Sequence, residues 1–271
     1  MRLSKNKPAL FGLSVLVVFF LVALFAAYLA PADPSELHLE EGLNGPSAHH
    51  LFGQDKLGRD ILSRMVYGSR ISLLVGITVV SISLMTGLLI GSVAGYFGGL
   101  LDEAIMRVVD IFLAFPGILL AIAITAVLGP SLRNVLIALC LMGWVGYARI
   151  IRGQILSVRE LEYVQAARAN GASPVRILSR HILPNIMAPV IVEATFGMAG
   201  AIIAEAGLSF LGLGVQPPTP SWGSMLAEGR QFLLLAPHLT TFPGLAIMLT
   251  VLGLNFIGDG LRDTLDVRQQ P

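Results

Sequence analysis

Charge, cysteine and lysine are the scarce residues of this 271-residue chain, and each shortage removes a class of function. Only 13% of the residues are charged, against roughly 25% in an ordinary soluble domain, while 55% are hydrophobic and the mean hydropathy is +0.77. That balance excludes a solvated enzyme, a collagen-like chain and a disordered segment, and leaves an integral membrane protein. One cysteine, Cys140, permits no internal disulfide. The lysines, Lys5, Lys7 and Lys56, stand in no GxxxxGK[ST] loop, so the chain hydrolyses no ATP by a P-loop. GxGxxG, HExxH and CxxC are absent too, which leaves dinucleotide binding and the common zinc chemistries without support. His49 and His50 are adjacent, and adjacent side chains on a regular element point apart rather than at one metal ion. No nucleophile and base stand at a spacing that supports an embedded enzyme, so neither catalytic residues nor metal ligands are assigned. A net charge of +1 offers no field for nucleic acid.

Long apolar runs fill the space that charge leaves. Residues 9–30 are 22 uncharged residues, about 33 Å as a helix, which matches the hydrocarbon thickness of a bilayer. A cleaved signal peptide is the rival reading, but its apolar region runs only about 7–15 residues. Further spans are expected at 72–96, 106–128, 134–152, 186–213 and 240–258. The fold class is therefore an all-α membrane protein with six transmembrane helices. Residues 1–8 form an N-terminal tail, 9–30 the first span, 31–70 a polar segment and 71–268 a five-span core. Within 31–70, Leu57, Ile61, Leu62, Met65 and Val66 recur at helical spacing with Arg59, Asp60 and Arg64 between them, which predicts an amphipathic helix on the membrane surface. Gly76, Gly87, Gly91 and Gly95 in the second span favour close helix contact.

Orientation follows from the basic residues. The side with both termini carries Arg2, Lys5, Lys7, Arg107, Arg149, Arg152, Arg159, Arg168, Arg176, Arg180, Arg262 and Arg268; the other carries Lys56, Arg59, Arg64, Arg70, Arg133 and Arg230. Both termini and the 153–185 loop are thus expected in the cytoplasm, with 31–70 and 214–239 outside.

Within that loop, local rules place two helices in 157–184. Ser157 and Glu160 have capping-box spacing, so the first helix should start at Val158, and Gly171 sits where a left-handed C-terminal residue is needed. Ser173 then caps a second helix at Pro174, and Pro184 stops or bends it. Ala166, Ala167, Ala169, Gly171 and Ala172 leave a small-sided surface on which another protein can approach the backbone. Some of the arginines are expected to touch lipid phosphates. DNA is excluded, because a unit tied to the membrane at both ends cannot enter a groove freely.

Two intramembrane carboxylates, Glu193 and Glu205, need compensation, since each costs on the order of 2.5–3.5 kcal/mol at mid-membrane. Twelve residues apart, they fall on faces about 120° apart, so one narrow pathway stripe does not contain both. Each is a candidate either for a hydrogen-bonded partner inside the bundle or for contact with a substrate amine or cation on the pathway. Asp110, near a headgroup boundary, ranks below them.

The string QAARANG at 165–171, followed by Leu183-Pro184, resembles the EAA loop of ABC importer permeases, with Gln165 in place of the glutamate and His181 in place of an isoleucine. The segments HLFGQDKLGRDILSRMVYGSRISLLVG (50–76), SFLGLGVQPPTPSWGSML (209–226) and FPGLAIMLTVLGLNFIGDGLRDTLDVR (242–268) are similar to the dipeptide, oligopeptide and nickel branch of that family, as its second permease. The resemblance implies a bacterial inner-membrane subunit that moves dipeptides or oligopeptides inward by alternating access, or alternatively nickel or a metal chelate. It also implies an ATPase-coupling role for Gln165, Ala166, Ala167, Arg168, Gly171 and Ala172. The implied partners are a second permease, two P-loop ATPase subunits and an external substrate-binding protein. No cofactor is expected on this chain; ATP and Mg belong to the partners. The competing class is an ion-coupled secondary carrier using Glu193 and Glu205, against which stands the lack of paired, glycine-interrupted segments in corresponding halves.

Overall fold

A computed structural model describes residues 6–265, and no strand occurs among them. The helices are α1 (Lys7–Leu24), α2 (Ala26–Leu29), α3 (Ile61–Phe97), α4 (Gly99–Leu113), α5 (Gly117–Leu128), α6 (Leu132–Val158), α7 (Glu162–Ala169), α8 (Pro174–Ile177), α9 (Leu183–Phe210), α10 (Trp222–Gly229) and α11 (His238–Leu265). Five stretches are long and apolar enough to cross a membrane: α1, α3, α6, Pro174–Phe210 and α11; α4 with α5 makes a sixth only as a pair bent by 79°. The third span expected at 106–128 is thus a broken one. Pro116, which lacks an N–H and pushes Phe115 out of helical geometry, separates its halves and becomes the N-cap of α5.

The bundle centre is the α3–α6 contact. A Cβ on Gly87 would lie 2.4 Å from the Tyr147 Cβ, one on Gly91 2.6 Å from the Ala148 carbonyl oxygen, and one on Gly95 2.9 Å from the Ile155 Cβ. Glycines spaced by four therefore bring two backbones together along about two turns, as expected for that run. Helix α9 packs on both α3 and α11, and α11 on α1. Asn6 contacts Asp263 at 3.5 Å, so the starts of α1 and α9 and the ends of α3, α6 and α11 share the end that carries α7 and α8. Arg2, Lys5 and Arg268, used above for orientation, lie outside the described residues.

At the opposite end, residues 57–66 do not form a separate surface helix. Asp60 caps α3, its carboxylate accepting from the Ser63 N–H at 2.7 Å, and from Ile61 the chain runs unbroken for 37 residues, about 55 Å. The polar side chains that made this stretch look interfacial turn inward. Arg59 Nε pairs with Asp55 at 2.6 Å and its Nη2 with Glu228 at 2.5 Å; Arg64 pairs with Asp55 and, at 3.1 Å, with Glu228. Arg64 is 1% exposed, and a member of such a buried network is costly to remove because the opposite charges left behind are under-compensated. Trp222 Nε1 donates to the Met65 carbonyl at 3.1 Å and Phe52 stacks on Phe242 at 4.0 Å. The polar segment, α10 and the start of α11 are thereby locked over the end of the bundle.

Candidate functional site

Two features are candidates for function: the α7–α8 pair at one end, and a cavity in the middle. The helix pair differs from the expectation at its start. Helix α6 continues through Ser157 to Val158, and α7 begins at Glu162 after an extended Leu161, without a side-chain cap. No breaker precedes Ser157, so it stays inside α6, and the Glu160 carboxylate instead meets Arg159 Nε at 2.9 Å and Gln165 Nε2 at 3.3 Å. The capping box is therefore not formed.

The turn that follows matches its sequence rules. Gly171 has φ +76°, its N–H bonds to the Arg168 carbonyl at 3.0 Å, and the Ala172 N–H bonds to the Ala167 carbonyl at 3.1 Å, the two bonds of a Schellman ending. Ser173 caps α8 with Pro174 at its first position. Pro184 neither stops nor diverts the chain: α8 passes through one π-helical turn, Leu178–Ile182, into α9, where Pro184 occupies the first turn and needs no N–H.

Val164, Ile177 and Ile182 are buried beneath the pair, while Gln165, Ala166, Arg168 and Gly171 are exposed and Ala167 and Ala172 half-buried. The pair is tied to the end of α3. Arg168 lies over the Tyr96 ring at 5.8 Å, and Arg159 Nη1 donates to the Gly95 carbonyl at 2.9 Å. Arg152 grips Asp102 of α4 with two bonds of 2.5 and 2.6 Å. One rigid corner thus joins α3, α4, α6 and α7.

Glu193 and Glu205 occupy different surroundings, as their 120° separation requires. Glu205 is fully buried, accepts a 2.7 Å bond from Ser209 Oγ, and Ser209 Oγ in turn accepts from the Val215 N–H at 3.2 Å. Ser209 lies on α9 itself, and Glu205 Oε2 has no hydrogen-bond partner among the described residues. Glu193 lines a cavity of about 300 Å³ walled by α3, α6, α9 and the start of α5. Its carboxylate makes no hydrogen bond or ion pair among the described residues. Ser83 and Tyr147 line the same cavity; neither was singled out in the sequence. Gly143 with Gly146, and Gly197 with Gly200, each three apart on one helix, were the signal for a small-sided wall. Asp110 sits on α4, exposed.

Known proteins of several kinds are similar to this chain. Residues 87–270 match the family described as binding-protein-dependent transport system inner membrane component, and residues 1–46 match the N-terminal transmembrane domain of oligopeptide transport permease C. The dipeptide transport system permease protein of Alkalihalophilus pseudofirmus is 50% identical over 269 residues, 99% of this chain and 88% of that one. The di/tripeptide transport system permease protein of Pseudomonas aeruginosa is 46% identical, covering 97% and 89%. A glutathione transport system permease protein of Pectobacterium atrosepticum is 47% identical, covering 94% and 85%. Among solved structures, a chain of the MetNI methionine ABC transporter has the same fold, with a TM-score of 0.62 at 19% identity over 76% of this chain and 97% of that one.

Proposed function

Because the chain belongs to the family of binding-protein-dependent transport system inner membrane components, a multi-pass permease subunit whose ATP is hydrolysed by partner subunits, we propose that it passes short peptides inward through the bacterial inner membrane. The relatives named for dipeptides, for di- and tripeptides and for glutathione support that cargo, since all three are small solutes with a peptide backbone and a free amine. Its termini and the α7–α8 pair face the cytoplasm, in line with the excess of basic residues at that end. A second permease completes the membrane unit, two P-loop subunits bind ATP and Mg, and an external binding protein delivers the peptide.

The observation that carries this reading is the continuity of Pro174–Phe210. The exposed side of α7–α8, built from Gln165, Ala166, Arg168 and Gly171 with Ala167 and Ala172 at its edge, is the seat for an ATPase subunit. Motion imposed there travels through the π turn into α9, and α9 carries Glu193 on the cavity wall. Packed helices transmit such displacement because interiors are as dense as crystals. Glu193 lies on the pathway, while Glu205 holds the far end of α9 to the 209–215 turn.

Affinity purification of the tagged chain from its native membrane, with mass spectrometry of what accompanies it, tests the assembly. Reconstitution with ATP and labelled dialanine tests the activity. Recovery of an ATPase and a second permease together with ATP-dependent uptake is expected. A chain that arrives alone and moves solute without ATP contradicts the proposal and favours the ion-coupled carrier.

A further inference from the structure

The cavity between α3, α6 and α9 holds polar groups that nothing among the described residues satisfies. Tyr147 is 6% and Ser83 1% exposed, yet neither the Tyr147 hydroxyl nor Ser83 Oγ has a hydrogen-bond partner. Leaving such a group buried and unpaired costs about 1–3 kcal/mol; Arg64 Nε, Ser72, Ser92 and Glu205 Oε2 share that state elsewhere, but Tyr147 and Ser83 stand together with Glu193 on the wall of one cavity. Both are held against glycines of the cavity wall: a Cβ on Gly197 would lie 2.1 Å from the Tyr147 hydroxyl oxygen, and one on Gly143 2.2 Å from Ser83 Oγ. Any larger residue at either glycine would push the hydroxyl away. Gly146 and Gly200 differ, because a Cβ there would meet nothing within 4 Å. These two glycines border open space.

Electrostatics gives the space a sign. Glu193 is the single carboxylate on the lining, where no lysine, arginine or histidine joins it among the described residues; its other side borders a separate cavity that Arg262 lines. Charge in a low-dielectric wall acts more strongly than in water and concentrates counter-ions. Glu193, Gly197, Gly200 and Ala204 follow one another at helical spacing, so the carboxylate stands at one end of a small-sided track along α9. The remaining lining is apolar. About 300 Å³ is the low end of small-molecule sites, enough for a dipeptide-sized solute and too little for a long peptide.

We propose that this cavity is a binding site for a protonated primary amine, the amino terminus of the passing peptide, with Glu193 as counter-ion and the Tyr147 and Ser83 hydroxyls, covered by the wall in this conformation, turning to accept its remaining N–H bonds. This rests on the peptide-importer reading for the identity of the amine; the preference of the cavity for a small cation does not. No cationic side chain is present on the lining to receive the peptide carboxylate, so that end is left to the second permease.

The test uses the assembled transporter in proteoliposomes, in a Cys140→Ser background, with Gly200→Cys and, separately, Gly146→Cys on the cavity wall. Each thiol is titrated with 2-aminoethyl methanethiosulfonate and with 2-sulfonatoethyl methanethiosulfonate, which carry opposite charges. The ratio of cationic to anionic rate should fall about tenfold when Glu193→Gln is added, and dialanine should slow the cationic reaction only while Glu193 is present. Dialanine uptake should fall at least about tenfold in Glu193→Gln, recover in part in Glu193→Asp, and fall several-fold in Tyr147→Phe. A rate ratio unchanged by Glu193→Gln overturns the proposal, as does failure of both cysteines to react. Should the unmutated transporter take up no peptide, the importer reading fails, while the rate ratio still decides whether the cavity selects a cation.

Discussion

At one end of the bundle Asp55, Arg59, Arg64 and Glu228 neutralise one another out of water, whereas in its middle Glu193, Tyr147 and Ser83 face a cavity with no partner among the described residues. Both sets are polar groups in an apolar protein. In the first, opposite charges come in equal number and at hydrogen-bond distance, so the elements they join are fixed. In the second, the two hydroxyls are packed against Gly197 and Gly143, and the carboxylate borders open space. Pairing is incomplete in the first set too, since Arg64 Nε has no partner among the described residues; what sets the second apart is the open space beside it.

Breaking the lock should have the largest effect on stability. Arg64→Ala leaves Asp55 and Glu228 with one cation between them and should cost about 3–5 kcal/mol, read as a large fall in the melting temperature of the purified chain in detergent. Next comes the α3–α6 seam between the cavity and the α7–α8 end. Gly91→Leu places a side chain where even a Cβ would be 2.6 Å from the Ala148 carbonyl oxygen, and an overpacked α3–α6 contact should lose about 1–3 kcal/mol.

At the α7–α8 end the effects on stability shrink while those on activity grow. Gly171→Val meets no neighbour but is strained at φ +76°, at a cost of about 1–2 kcal/mol. Uptake should be lost although the chain still inserts, and Gly171→Asn should restore part of it, because Asn tolerates the left-handed region. Arg168→Ala removes only the contact with the Tyr96 ring, about 0.5–1 kcal/mol; a small drop in melting temperature with a measurable loss of uptake is expected.

What was legible in the sequence follows the range of the interactions concerned. Gly171, Ser173 and Pro174 form the turn they encode because every partner lies within five residues. Six apolar stretches were visible as well, since span length answers to bilayer thickness. The amphipathic helix at 57–66 was misplaced because the partner of Arg59 and Arg64 is Glu228, more than 160 residues away, and a polar face that finds such a partner turns inward. Ser157 misled in the opposite way: its spacing to Glu160 is right, but a cap also needs the chain to leave helical geometry, and nothing before Leu161 makes it do so. Pro116 broke the third span where periodicity alone continued it. The carboxylates were found through their cost, and their separation onto two faces followed from helix geometry. Tyr147 and Ser83 carried no such mark, because their isolation is created only when three helices meet.

The central claim, that an outside subunit drives α9 through the small-sided face of α7, is tested most directly by Ala166→Trp. Ala166 is exposed, so the indole disturbs no packing within the subunit. Dialanine uptake and binding-protein-stimulated ATP hydrolysis should both fall at least tenfold, a loss of about 1.4 kcal/mol or more in coupling, with the melting temperature of the isolated chain unchanged. Normal uptake by the Trp variant would contradict the account.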